Sequence, residues 1–305
     1  MPKIEKRIIS ASRRTDIPAL YSEWFMNRIR QKYVSVQNPV TLEYFKVDLS
    51  PDKVAVIVFW TKNPEPMLKH LDELNDRGYK YYFTFTLNAY PQDLEPSIPP
   101  FAKIIDTFKA LSNKIGADKV IWRFDPIIIS TITRESDIIN RFETIAKELH
   151  GYTQRVVISF VDFNPNFIDN IKKLRMSKRI YFNNVSKDIE CMERISTSLA
   201  GIAKKYSMEI FSCAEKHDLS HCEIKRGKCI DDELIRKVFG INLNLKKTQP
   251  LREFCGCAKN TDIGQYDSCI NECIYCYATR DKNVARFNFS SHDPYYQTLI
   301  SPPLV

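Results

Sequence analysis

Glycine is scarce in this chain, with 8 among 305 residues, and none falls into GxGxxG or GxxxxGK. The backbone loops that cradle phosphates in Rossmann dehydrogenases and P-loop enzymes are therefore missing. No apolar run approaches the roughly 18 residues that a membrane helix needs. The opening "MPKIEKRIIS" carries charge with no long apolar stretch behind it, so no signal peptide or membrane anchor is expected and the chain reads as cytoplasmic. Cysteine is absent until Cys191, after which all nine fall between 191 and 276. A reducing compartment disfavours disulfides and makes metal binding or catalysis the default reading of so many thiols.

What is present is a recurring unit. Short β-rich runs appear at 7–12, 33–39, 54–64, 80–90, 119–129, 155–163 and 209–215, with helical periodicity at 19–32, 65–77, 100–114, 134–149 and 185–206. Strands alternating with helices predict a parallel sheet. About seven such units without an internal sequence repeat favour an α/β fold of the (β/α) TIM-like barrel type, closed or partial, over an open doubly wound sheet. The expected organisation is a barrel core over 1–216 and a cysteine-rich, iron–sulfur segment over 217–305. No Gly/Ser or Pro-rich linker separates the two, which predicts that the second segment packs on the barrel mouth.

Function in such a fold gathers where strands end. Polar residues cluster there in "SRRTD" (12–16), "WTKNP" (60–64), "TFTLN" (84–88), "RFDP" (123–126), "SFVD" (159–162) and "CAE" (213–215). Singly each suits a cap or a turn. Together they predict a site. The net charge of +8 is a mild surplus, compatible with a solvated surface and with a nucleic-acid or phosphorylated ligand.

Cys269, Cys273 and Cys276 form CxxxCxxC, with Tyr275 before the last cysteine and Tyr277 after it. Three thiolates on one short loop hold three corners of a [4Fe–4S] cluster, where most clusters have a fourth cysteine. The iron left open can chelate S-adenosylmethionine, whose reductive cleavage yields a 5′-deoxyadenosyl radical that abstracts hydrogen from a substrate. A zinc site completed by another cysteine or by His292, or a different iron–sulfur role, are the other readings.

This motif, with its aromatic before the third cysteine, resembles the radical S-adenosylmethionine signature. In the usual radical enzymes the motif follows the first barrel strand; here it comes last, as a permuted barrel would allow. Together with "SASRRTDIPA", "VFWTKNP", "WRFDPI", "CGC", "DIG" and "CIYCYA", nearly the whole chain resembles an uncharacterised bacterial family of unknown function whose C-terminal cysteines are like those of radical enzymes. "RFDP" after a strand is also similar, over that stretch alone, to spore photoproduct lyase, a radical enzyme of DNA repair. The resemblance implies an electron donor of the flavodoxin or ferredoxin type and leaves nucleic acid open as a substrate, with no membrane partner.

Cys213, Cys229, Cys255 and Cys257 form a second candidate group, for an iron–sulfur cluster or zinc. Cys191 and Cys222 remain as ordinary thiols, with Cys222 an alternative to Cys229. Arg123, Asp125 and Glu215 are candidate catalytic groups. Arg123 with Asp125 can orient a carboxylate or a ribose hydroxyl, or form a structural ion pair. Lys62, Asn63, Thr84, Thr86 and Tyr275 are candidate cofactor contacts, Thr84 and Thr86 sharing a strand face. Arg13, Arg14 and Asp16 suit an anionic substrate or exposed salt bridging. The five histidines show no metal-spaced pair on a helix. The rival to an enzyme is a metal-stabilised binding protein for a phosphorylated ligand or nucleic acid, its cysteines purely structural.

Overall fold

The computed structural model describes residues 6–243 and 254–301. Eight strands form one sheet: β1 (Arg7–Ala11), β2 (Val54–Thr61), β3 (Tyr81–Thr86), β4 (Val120–Ile127), β5 (Arg155–Phe160), β6 (Glu209–Cys213), β7 (Lys225–Gly227) and β8 (Asn260–Asp262). Their spatial order is β7-β6-β5-β4-β3-β2-β1-β8, and every pairing is parallel. The last strand in sequence thus lies beside the first. Six of the seven expected runs enter this sheet, and both edge strands come from the segment after 216.

The run at 33–39 does not. Tyr33–Gln37 pairs antiparallel with Tyr44–Asp48 in a separate hairpin. Only a short turn separates the two, and a parallel pairing needs a crossover of a dozen or more residues. The expected helices are found, with breaks: 19–32 becomes Ile17–Leu20 and Ser22–Gln31, and 65–77 becomes Glu65–Leu68 and Leu71–Asp76. Pro165–Lys178 is a further helix, started by Asn164, whose side chain accepts from the Phe167 amide, and by Pro at its first position. Among the described residues no helix is long and apolar enough to cross a membrane.

Strand residues two apart point the same way, and the two faces bury different cores. Ile57, Phe59, Phe83, Phe85, Trp122 and Phe124 pack outward against the helices, with Trp122 stacked on Phe142 at 4.7 Å and Phe85 on Phe108 at 4.9 Å. The opposite face buries a smaller cluster of Ile8, Val56, Val58, Tyr82, Ile121 and Val157, joined by Ile235 of the helix Asp232–Phe239 and by Cys213, Cys229 and Cys257. Tyr82 of β3 donates from its hydroxyl to the Cys229 carbonyl at 3.0 Å. In a flat sheet β3 and β7 would stand about 19 Å apart, four spacings of about 4.8 Å. The sheet therefore curls around its smaller core.

Asp262, at the end of β8, latches that edge strand to β1. Its carboxylate accepts from the Ser10 hydroxyl at 2.9 Å, the Ser12 hydroxyl at 2.5 Å, the Arg13 amide at 2.8 Å and Arg14 Nε at 3.1 Å. Burial would raise its pKa, but Arg14, Ser12 and Arg13 outweigh it and hold the carboxyl below the usual range. Gly264 follows closely; a Cβ there would lie 2.1 Å from the Ser12 Oγ, so no other residue fits beside the latch. Asp262→Ala strands Arg13 and Arg14 in a buried site and is expected to lower unfolding stability by about 3–5 kcal/mol, as loss of one partner in a buried ion pair does. Chemical denaturation checks this; a loss within about 0.5 kcal/mol, typical of a surface substitution, would mean that Asp262 is not a latch.

Candidate functional site

The strand ends β1 to β6 and the loop after β8 surround one cavity of about 390 Å³. Its walls include Lys62, Thr86, Arg123, Asp125 and Tyr275 with Cys269, Cys273 and Cys276, and also Cys213, Cys229, Cys255 and Cys257. Both predicted cysteine groups therefore meet one space. Thr84, Asn63 and Glu215 do not line it. Thr84 donates its hydroxyl to the Phe59 carbonyl at 3.0 Å, Asn63 accepts from the Glu65 amide at 3.2 Å, and Glu215 accepts from the Phe160 amide at 2.7 Å.

The cysteine loop is irregular, so its backbone needs partners from elsewhere. Asn170 of the helix Pro165–Lys178 donates to the Ile274 carbonyl at 2.7 Å, and Asn166, one turn earlier on the same face, donates to the Thr279 carbonyl at 3.5 Å. The Ile274 amide bonds the Leu94 carbonyl at 3.1 Å, the Tyr21 hydroxyl the Ser268 carbonyl at 2.5 Å, and the Tyr277 hydroxyl the Arg13 carbonyl at 2.8 Å. Asp16 joins three segments: its carboxylate accepts from the Ala19 amide at 3.1 Å, the Lys62 amide at 2.8 Å and the Asn271 side chain at 3.2 Å.

Burial and the neighbouring Cys276 hold the Cys269 thiol well above the ordinary thiol range. Burial pushes Cys273 up to about 12, even with Lys62 opposing it. Three thiolates can share this pocket only with a cation among them, and a coordinating metal deprotonates its thiols outright. The donor set, three cysteines from one held loop, fits a thiophilic metal group. His292 is engaged elsewhere, its Nδ1 2.7 Å from the Leu299 carbonyl and its ring edge-on to Tyr21 at 4.7 Å.

Beside the loop lies a buried network in which Lys62 and Tyr275 meet Glu95, a residue that the sequence did not single out. Glu95 accepts from Lys62 Nζ at 2.7 Å, from the Tyr275 hydroxyl and from the Asn88 side chain at 3.2 Å. Asn88 in turn accepts from the Asp125 amide at 2.9 Å. Burial would depress the Lys62 ammonium, but Glu95 and Cys273 prevail and raise its pKa. Glu95 sits in "DLEPSIPP", where an acidic residue looks like any solvated loop charge. Asn166 and Asn170 left a better trace, two amides one helical turn apart after an Asn-Pro start.

Arg123 and Asp125 pair along one strand, and Ser159 of the next strand also bonds Asp125. The guanidinium lies over Trp60 at 4.7 Å. Trp60 Nε1, Arg123 Nε and Thr15 Oγ1 are buried atoms of cavity residues that have no hydrogen-bond partner among the described residues. Buried donors of this kind suit a bound molecule that brings acceptors.

The remaining thiols and histidines sort by location. Cys191 and Cys222 pack in the larger core, whereas Cys229 lies in the inner one, its sulfur 2.7 Å from that of Cys213. Outside the cavity, Glu193 meets His217 at 2.9 Å and His221 at 3.0 Å, a compact group of potential metal ligands that helical spacing did not reveal.

Residues 8–278 match the family described as Domain of unknown function (DUF1848), and the chain belongs to it. No curated protein matches the chain.

The Lys62–Glu95 pair is 12% and 3% exposed, so its parts should depend on one another. Glu95→Gln leaves a buried ammonium and is expected to destabilise by about 3–5 kcal/mol. The double variant with Lys62→Met should lose less than the sum of the singles, by about 0.5–3 kcal/mol. Strict additivity in denaturant unfolding would show that the pair carries no coupling.

Proposed function

We propose that this member of the DUF1848 family is a radical S-adenosylmethionine enzyme, with Cys269, Cys273 and Cys276 as ligands of a [4Fe–4S] cluster. One observation carries the reading: these three cysteines line the same cavity as the charged strand ends Lys62, Arg123 and Asp125. The position of β8 beside β1 supports it, because the cysteine loop then follows the strand that precedes β1 around the sheet, as a permuted radical-enzyme barrel requires. The curled sheet is read accordingly as a barrel, partial or closed, of a cytoplasmic enzyme.

When bound, such a cluster supplies an electron for reductive cleavage of S-adenosylmethionine and so hydrogen-abstracting chemistry at a substrate. The chain's own residues supply position and exclusion of water. Tyr275, pinned by Glu95 and packed near Lys62, keeps its ring against the loop. Trp60 Nε1, Arg123 Nε and the Thr15 hydroxyl offer donors to the carboxylate or ribose of the cofactor, or to substrate. Asp125, fixed by Arg123 and Ser159, offers an acceptor. Thr86 is the strand-end hydroxyl nearest this role, since Thr84 is bonded to backbone. The similarity of "RFDP" to spore photoproduct lyase keeps a nucleotide or nucleic acid among the substrates, and a flavodoxin or ferredoxin is the fitting electron donor.

Anaerobically purified protein, reconstituted with iron and sulfide, reduced with dithionite and given S-adenosylmethionine, is expected to release 5′-deoxyadenosine. Cys273→Ala should abolish it. No product from protein that carries zinc and rejects iron would replace this reading with a metal-stabilised binding protein.

A further inference from the structure

Four of the six cysteines outside the 269–276 loop are drawn from both margins of the sheet. Cys213 ends β6 and Cys229 follows β7, whereas Cys255 and Cys257 precede β8. Since β7 and β8 are the two edges, two sulfurs reach in from each side of a seam that no described ladder closes. The thiols touch in series: Cys213 and Cys229 at 2.7 Å, then Cys229 with Cys257, then Cys257 with Cys255. Two further contacts cross the seam, from the Ala258 amide to the Ile230 carbonyl at 2.9 Å and from the Ile230 amide to Cys257 Sγ at 3.4 Å. None of the cysteines is in a disulfide.

We infer that Cys213, Cys229, Cys255 and Cys257 bind a metal centre of their own through four thiolates, a zinc ion or an iron–sulfur cluster, and that this centre clasps the two edges of the sheet together. Four sulfurs complete a zinc shell or a cubane, so the centre keeps no open position for substrate. Its ligands are far apart in the unfolded chain, so its binding free energy is folding free energy. The inference is independent of whether the other three cysteines support radical chemistry.

The test removes those three. The variant Cys269→Ala/Cys273→Ala/Cys276→Ala is loaded anaerobically with Zn²⁺ alone in one arm and with iron and sulfide in the other. Metal content, X-ray absorption and the thermal midpoint are then measured. Retention of zinc with a sulfur-only shell at about 2.3 Å, or of about four irons with a sulfur-only shell, supports the centre and says which group it takes. Metal removal should lower the midpoint. Adding Cys229→Ser and Cys257→Ser should abolish retention. Should that protein fail to fold, Cys255→Ser, at the half-exposed end of the series, should keep the fold and weaken metal binding by more than about tenfold. No retained metal, nitrogen or oxygen ligands such as Glu193, His217 and His221 would provide, a Cys213–Cys229 disulfide, or a midpoint indifferent to metal would each overturn the inference.

Discussion

A carboxylate largely withdrawn from water, that of Asp262 with 13% of its side chain exposed, must find partners for its lone pairs or lose free energy to desolvation. It finds them in Ser10, Ser12, Arg13 and Arg14, all at the end of the strand beside it. That requirement joins the last strand of the chain to the first and sets the conformation of 12–16. From there the order propagates. Asp16 caps a helix and takes the Lys62 amide and the Asn271 side chain, so the cysteine loop is aligned by the same turn that the latch holds.

The cysteine loop illustrates how an irregular segment becomes rigid. Its carbonyls are met by side-chain amides from Asn166 and Asn170 and by the Tyr21 hydroxyl, in place of a ladder. Thiols presented this way face a cavity that mixes buried aromatic surface with cations. The same low-polarity surroundings that raise the thiol pKa values make a thiophilic metal the natural counter-charge. The Lys62–Glu95–Tyr275 network holds the same loop from another side: it balances a buried charge with a buried charge, so neither can move alone.

Much of the fold was legible because patterning follows burial. The run 54–61 is apolar along both faces because helices cover one side and the inner core fills the other. The hairpin at 33–37 broke the pattern's lesson: its alternation is that of a strand, and alternation does not say which sheet a strand joins. β7 and β8 are three residues each, too short to show any period. At the site, cysteine spacing carried information because three thiols within eight residues must share one loop. Glu95 did not, since only burial distinguishes a structural carboxylate from a solvated one. Thr84 and Thr86 share a face as expected, yet one faces a neighbouring carbonyl and the other the cavity, a difference of position along the strand.

The sequence by itself determined the alternation of strands and helices, the absence of phosphate-binding glycine loops, and a loop of three closely spaced cysteines, because each of these is a local pattern written in adjacent residues. The tertiary structure alone decided that β8 lies beside β1, that both cysteine groups face one cavity, that Asp16 and Glu95 are buried, and that Asp262 is ringed by partners. Those are contacts between residues tens to hundreds of positions apart, selected by the joint burial of apolar faces and the pairing of buried charges, and no short window of sequence carries either.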